Sequence, residues 1–238
     1  MRLDKLIEEQ LHTSRKEMKR LFLSRKVLID DQLEMNPQRN VDSRLHKIEV
    51  AGQPLQTKHV YYLLNKPAGV VTAKKDARFQ TATELVTKHE RPADLYPVGR
   101  LDRDTTGLLL LTDNGQLGYA LLQPGSKVEK TYLATVNEKV TAEDVAAFAQ
   151  GIVFHGGIVC QPAKLEVLSA GANESRVRLT IQEGKFHQVK KMFLACGKKV
   201  TALSRVAMGP LRLPPELLAG EYRELTESEL QQLKKYFR

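Results

Sequence analysis

The chain has 238 residues, 42% of them apolar, and carries a formal charge of +9 with a pI near 9.5. This composition excludes a disordered chain. It has no apolar run near the ~20 residues of a membrane helix, and its two cysteines, Cys160 and Cys196, are too few for a disulfide framework. The surplus of Lys and Arg points to a polyanionic partner, nucleic acid above all, and a start charged from Arg2 onward, with no secretory core, places the chain in the cytoplasm.

The first ~55 residues read as a unit of their own. Leu3, Leu6, Ile7 and Leu11 fall at helical spacing. Ser14 followed by Glu17 is a capping-box start for a second helix, which carries Arg15, Lys16, Lys19 and Arg20. Val27 to Ile29 and Ile48 to Val50 predict a small hairpin-rich remainder, and the stretch 52–58 with Pro54 is expected to be a linker.

Strands dominate from Val60 onward. Val60 to Leu64, Leu108 to Thr112, Val128 to Val136, Ala163 to Leu168 and Ser175 to Ile181 have strand patterns, and the last alternates cleanly. Helices are expected over 81–89, 116–122, 141–150, 186–196 and 226–236, several opened by a Thr cap. Strands with scattered helices and no regular alternation predict an α+β fold on a mixed, mainly antiparallel sheet with flanking helices.

Basic residues are clustered. Six lie between Arg15 and Lys26 and six between Lys185 and Arg205, which suggests two contact surfaces on one long ligand. Between a Pro-Val-Gly turn and four leucines stands Arg100-Leu101-Asp102-Arg103-Asp104-Thr105-Thr106-Gly107. That arrangement holds the Asp102 carboxylate on a short loop at the mouth of a core strand, where fixed catalytic groups tend to sit. A capped polar turn is the structural alternative. Tyr132 lies in a basic-flanked strand, Lys130 to Ala134. Lys185 falls at the expected N-terminal turn of a helix, where the dipole disfavours a cation, so an anionic partner is implied. His187 and Gln188 either contact a nucleotide or cap that helix. His155, Gly156, Gly157 and Cys160 offer too few ligands for a metal, and a β-turn is the better account.

Three motifs in this order, NKPxG at 65–69, GRLDxDTTGLL at 99–109 and EGKxHQVKKM at 183–192, resemble the bacterial RNA pseudouridine synthases. Within that family the chain is most similar to the type acting at one uridine, uridine 516, of 16S ribosomal RNA, and the likeness runs essentially end to end. The resemblance implies a small alpha-L RNA-binding module over residues 1–55, similar to that of a primary-binding ribosomal protein, and a catalytic domain over 60–238. It implies that Asp102 is the essential aspartate, that Tyr132 packs on the uracil, and that Lys185 pairs with the aspartate. It implies too that Leu194 lines the pocket and that Arg100 fills the space left by the flipped base. His187, Gln188 and Lys190, with Arg15, Lys19 and Arg20 of the basic helix, are the further RNA contacts.

The implied reaction is an isomerisation needing no cofactor and no metal, by a monomer, on ribosomal RNA within a small-subunit assembly intermediate. The aspartate could add to the ring, attack the anomeric carbon or take the 2′ proton. Three other readings compete: a family member acting on 23S ribosomal RNA, a non-catalytic assembly factor, and a hydrolase using Asp102 with Asp104. A pure binder has no reason to keep Asp102, Tyr132 and Lys185 together, and the hydrolase lacks further acidic ligands.

Overall fold

The computed structural model describes residues 1–154 and 156–237. Two helices, α1 (Leu3–Leu11) and α2 (Arg15–Leu23), precede four short strands: β1 (Val27–Ile29), β2 (Gln32–Leu33), β3 (Ile48–Val50) and β4 (Gln53–Pro54). The strands form a sheet in the order β2-β1-β3-β4. The expected capping box opens α2, with Ser14 Oγ accepting from Glu17 N and the Glu17 carboxylate accepting from Ser14 N. Asp30 and Asp31 join β1 to β2 at φ 53° and 62°, a two-residue turn with both positions left-handed. Asp tolerates that region better than most residues, so the turn forms without glycine. Leu3, Leu6, Ile7 and Phe22 pack with Val27, Ile29, Ile48 and Val50 in a core of their own.

The stretch 52–58 is not a free linker. It contributes β4, buries Leu55, and ties Thr57 down through a hydrogen bond to Asp42 Oδ1 (2.9 Å). Asp42 is fully buried and also accepts from the Tyr61 hydroxyl and from Asn114 Nδ2 (2.8 Å). On the same side Lys234 reaches Asp30 at 2.7 Å. A buried carboxylate with every partner in place fixes the N-terminal segment against the rest of the chain.

The remaining elements are β5 (Tyr61–Lys66), β6 (Tyr96–Pro97), β7 (Thr106–Thr112), α3 (Gly115–Leu122), β8 (Lys130–Val136) and α4 (Ala142–Gln150). They continue with β9 (Lys164–Ala170), β10 (Ser175–Ile181), α5 (Gln188–Ala195), β11 (Val200–Met208), β12 (Leu211–Arg212), β13 (Tyr222–Glu224) and α6 (Glu227–Leu233). The strands make one sheet, β13-β5-β7-β11-β8-β10-β9, with β6 added to β7 and β12 to β11. Among the described residues only the β7–β11 strands pair in parallel, so the sheet is mixed and mainly antiparallel as expected. Tyr62, Leu64, Leu109 and Leu111 face one core with Phe148 and Phe193. Tyr61, Leu63, Leu108 and Leu110 face another with Leu117, Leu230 and Leu233. With both faces covered, β7 reads as a continuous leucine run instead of an alternation.

Further details differ from the sequence reading, which also lacks the short strands β6, β12 and β13. The helix expected over 81–89 is a single 3₁₀ turn, Ala82–Leu85, although its Thr81–Glu84 capping box forms. Helix α5 begins at Gln188, because His187 adopts a left-handed φ of 53°. Strand β11, at the centre of the sheet, was not expected at all. Near Cys160, Val153 bridges Val159 with Gly156 and Gly157 at positive φ between them; His155 lies outside the described residues. Among the described residues no helix is long and apolar enough to cross a membrane.

Candidate active site

Asp102 sits on the loop between β6 and β7, and that loop is pinned from beneath. The Lys66 ammonium, fully buried at the end of β5, donates to the carbonyls of Pro67 (2.9 Å), Arg103 (3.2 Å) and Thr105 (2.8 Å). Burial without a carboxylate in contact lowers its pKa to about 8. Gly69 N donates to Arg103 O (2.8 Å), and the Thr72 hydroxyl donates to Leu101 O (2.8 Å). The NKPxG motif thus acts on the aspartate loop through space. The loop's backbone is held, and the Asp102 side chain is left free to project.

Its carboxylate meets two groups of the EGKxHQVKKM segment. Lys190 Nζ lies 3.1 Å from Oδ2, and His187 Nε2 lies 3.5 Å from Oδ1. Lys190 also donates to Asp104 at 2.6 Å. It stands in the first turn of α5, where the dipole opposes a cation, and the two carboxylates offset that. Burial works against its charge, yet the hydrogen bonds to Asp104 and Asp102 outweigh it and raise its pKa. The hydrogen bond from Lys190 correspondingly holds the Asp104 carboxyl below its usual range.

A cleft of about 1050 Å³ opens beside this group, lined among others by Arg100, Asp102, Tyr132, Lys190, Leu203 and Arg205. Tyr132 on β8 is 7% exposed and Leu203 on β11 is 8% exposed. They offer flat, apolar contact next to the carboxylate, while the rim carries the exposed Arg100. The site can therefore receive a planar ring and bring a carboxylate to its edge.

The structure brings most of the expected residues together, and the contacts of some differ from those expected. Lys185 does not meet Asp102: its ammonium pairs with Glu183, which also accepts from Gln188 Nε2 (2.7 Å) and Gln161 N (2.9 Å). Lys185 precedes the helix, whereas Lys190 is carried onto Asp102 by the first turn of α5. The anionic partner implied for Lys185 is thus an internal one. Leu194 is 67% exposed and away from the cleft, because Val189, Met192 and Phe193 take the inward face of α5. The apolar wall comes from Leu203 instead. Gln188 is buried and braces the loop, accepting from Lys185 N at 2.8 Å, so its amide is not turned to a ligand. Arg15, Lys19 and Arg20 lie exposed on α2, outside the cleft, and none belongs to an ion pair among the described residues. Leu203, Arg205 and the loop-pinning Lys66 were missed as site residues.

Known proteins of like sequence extend this picture. The family model described as RNA pseudouridylate synthase matches residues 60–195. The ribosomal small subunit pseudouridine synthase A of Escherichia coli (strain K12) is 39% identical, the match covering 97% of this chain and 98% of that protein. An uncharacterized RNA pseudouridine synthase of Bacillus subtilis (strain 168) is 41% identical, with 97% of each covered. A crystal structure of a pseudouridylate synthase, 36% identical, superposes with a TM-score of 0.69 over 98% of this chain and 99% of that one. Likeness of this extent, on a chain whose Asp102, Tyr132 and Lys190 line one cleft, has one consequence: the chain belongs to the RNA pseudouridylate synthase family, isomerases that convert uridine in RNA to pseudouridine.

Proposed function

We propose that this protein isomerises one uridine of 16S ribosomal RNA, acting in the cytoplasm as a monomer on a small-subunit assembly intermediate, with Asp102 as the essential group. The observation that carries the reading is the Asp102 carboxylate, held between Lys190 and His187 at the wall of a cleft that Tyr132 and Leu203 line. The names of the relatives, which specify the ribosomal small subunit, support the target. A uridine reaches such a cleft only by leaving its stack, at a cost of a few kcal/mol. Arg100 at the rim has the planar guanidinium that can occupy the vacated slot by stacking and hydrogen bonding. Inside, Tyr132 packs on the ring and Asp102 acts at the nucleoside as a carboxylate. Lys190 holds that carboxylate in place, the part that the family resemblance gives to Lys185.

The test is tritium release from small-subunit RNA labelled at carbon 5 of uridine, because joining carbon 5 to the sugar expels its proton. The RNA is offered naked and as a partly assembled subunit. One equivalent released from either form is expected, and none from large-subunit RNA. Release from large-subunit RNA alone would move the target to 23S RNA; tight binding without release would leave an assembly factor.

The division of roles between the two lysines has its own check. Lys190→Met is expected to slow release about 100-fold, the scale for losing a charged partner at a reacting centre, and Lys185→Met only a few-fold. The reverse order would return the pairing role to Lys185.

The exposed basic face of α2, over residues 1–55 taken as the RNA-binding module, supplies sequence-independent affinity. Replacing Arg15, Lys19 and Arg20 together by Ala should weaken binding and flatten the dependence of log affinity on log salt by about 2 to 3, near one unit for each phosphate no longer neutralised. An unchanged slope in a filter-binding titration would take α2 off the RNA.

A further inference from the structure

The floor of the cleft holds an arginine with no counter-ion. Arg205 on β11 is 1% exposed, one of the largest fully buried side chains among the described residues. Its Nε donates to Leu108 O (2.8 Å), while its Nη2 is buried and has no partner. No ion pair among the described residues includes it. Directly across the strand pair stands Tyr132, and Leu203 is two residues away on the same strand. A second cation, Lys130, begins β8 and donates only to Val128 O (3.1 Å). Burial, and then the charge of Arg205, lower the Lys130 pKa. Thr105, also lining the cleft, keeps its hydroxyl buried and unpartnered. A buried guanidinium without a counter-ion is costly, and folds keep one only where something satisfies it.

The missing partner must be an acceptor, and one that gains negative charge. A phosphodiester is tethered at both ends and meets the rim, where Arg100 and Lys190 stand. A flipped base reaches the floor. Uracil offers two carbonyl oxygens, whereas cytosine turns an amino group toward the same donors. During the isomerisation the bond from N1 to C1′ breaks with its electron pair going to N1, and that charge spreads over O2 and O4. The bond from C5 to C1′ then forms, the C5 proton leaves to solvent, and N1 takes up a proton. No oxidant, reductant or co-substrate enters.

We propose that Arg205 is a catalytic residue of this enzyme: it donates to a carbonyl oxygen of the flipped uracil and stabilises the negative charge that the ring acquires when the glycosidic bond breaks. Lys130 adds to the positive field, and Thr105 is placed to complete recognition of the uracil edge. The assignment deepens the proposed function and rests on it.

The test compares wild type, Arg205→Gln and Arg205→Lys on small-subunit RNA carrying tritium at carbon 5, and on the same RNA carrying 5-fluorouridine. Product is read by tritium release in the first case; in the second, where C5 carries no proton to lose and the C5-linked ring takes up water at C6, the hydrated nucleoside is read by nuclease digestion and mass spectrometry. Fluorine makes the ring a better bearer of negative charge, so a variant that has lost charge stabilisation should be helped most. Arg205→Gln is expected to lose about 100-fold in kcat on uridine, as for removal of one preorganised donor, with RNA affinity and Tm nearly unchanged. On 5-fluorouridine the deficit should shrink to about tenfold, and Arg205→Lys should fall between wild type and Arg205→Gln. Equal deficits on both substrates would overturn the proposal in favour of a structural role, and so would a loss confined to RNA affinity, which would indicate a phosphate contact. If Arg205→Gln does not fold, the same comparison is decided with Arg205→Lys, which keeps the charge. Absence of release by wild type would overturn the functional reading itself, a result distinct from any change among the variants.

Discussion

Replacing Asp102 by Asn is expected to abolish tritium release, lowering kcat on the order of 10⁴-fold or more, while RNA affinity stays within about twofold of wild type. Asn has the same shape, and the loop's position does not depend on the carboxylate. Thr105 N bonds the Asp102 carbonyl (3.1 Å), and Lys66 holds the neighbouring carbonyls of Arg103 and Thr105. The variant keeps those bonds and loses only the charge that faces Lys190 and His187. Phosphate contacts dominate protein–nucleic acid affinity in general, and those proposed for α2 are untouched by the change, so binding is expected to survive. The check is tritium release under single-turnover conditions, paired with filter binding on the same RNA. If turnover and binding fell together, Asp102 would be a structural or RNA-positioning residue and the catalytic assignment would fail.

The second large effect is on stability. Gly107, the second residue of β7, has φ 100° where β7 meets β11, the only parallel strand pair among the described residues. A Cβ there would lie 2.7 Å from Ser204 Oγ and 2.8 Å from Arg205 N, and closer still to Arg205 O. Two of these are backbone atoms of a central strand and cannot turn aside. Gly107→Ala combines a left-handed conformation that L side chains avoid with a collision, and we expect a loss of about 3 kcal/mol or more. For a chain of this size that corresponds to a fall in Tm of about 6 to 12 °C. Gly115→Ala is the control, since its Cβ would meet nothing within 4 Å at the start of α3, and Tm should hold or rise slightly. A thermal melt of Gly107→Ala that matched wild type would mean that the β7–β11 seam is not packed as described. Activity should fall with stability, because the displaced strand carries Leu203 and Arg205 into the cleft.

The sequence by itself determined the local elements and singled out the Asp102 loop as the candidate site. Caps and turns are short-range chemistry, so the Ser14–Glu17 box and the helix starts at Thr141 and Thr226 were legible and form. The leucine run of β7 was legible because four consecutive apolar residues beside a polar loop have few other solutions. Asp102 could be singled out, since the motif surrounds it. The tertiary structure alone decided who meets whom. Strand β11 was invisible because its inward positions read Leu203, Arg205, Ala207, and a charge at the middle one breaks the apolar alternation that marks a strand. That same interruption is the residue left unpartnered in the cleft. The choice of Lys190 over Lys185 follows from where α5 begins, which the left-handed His187 sets. The N-terminal segment is docked through Asp42, Tyr61 and Asn114, polar residues far apart in the chain that signal nothing singly. Periodicity and capping are written within a few residues of chain, whereas pairing of buried charges depends on which strand ends and helix turns the fold stacks together, and no local pattern encodes that.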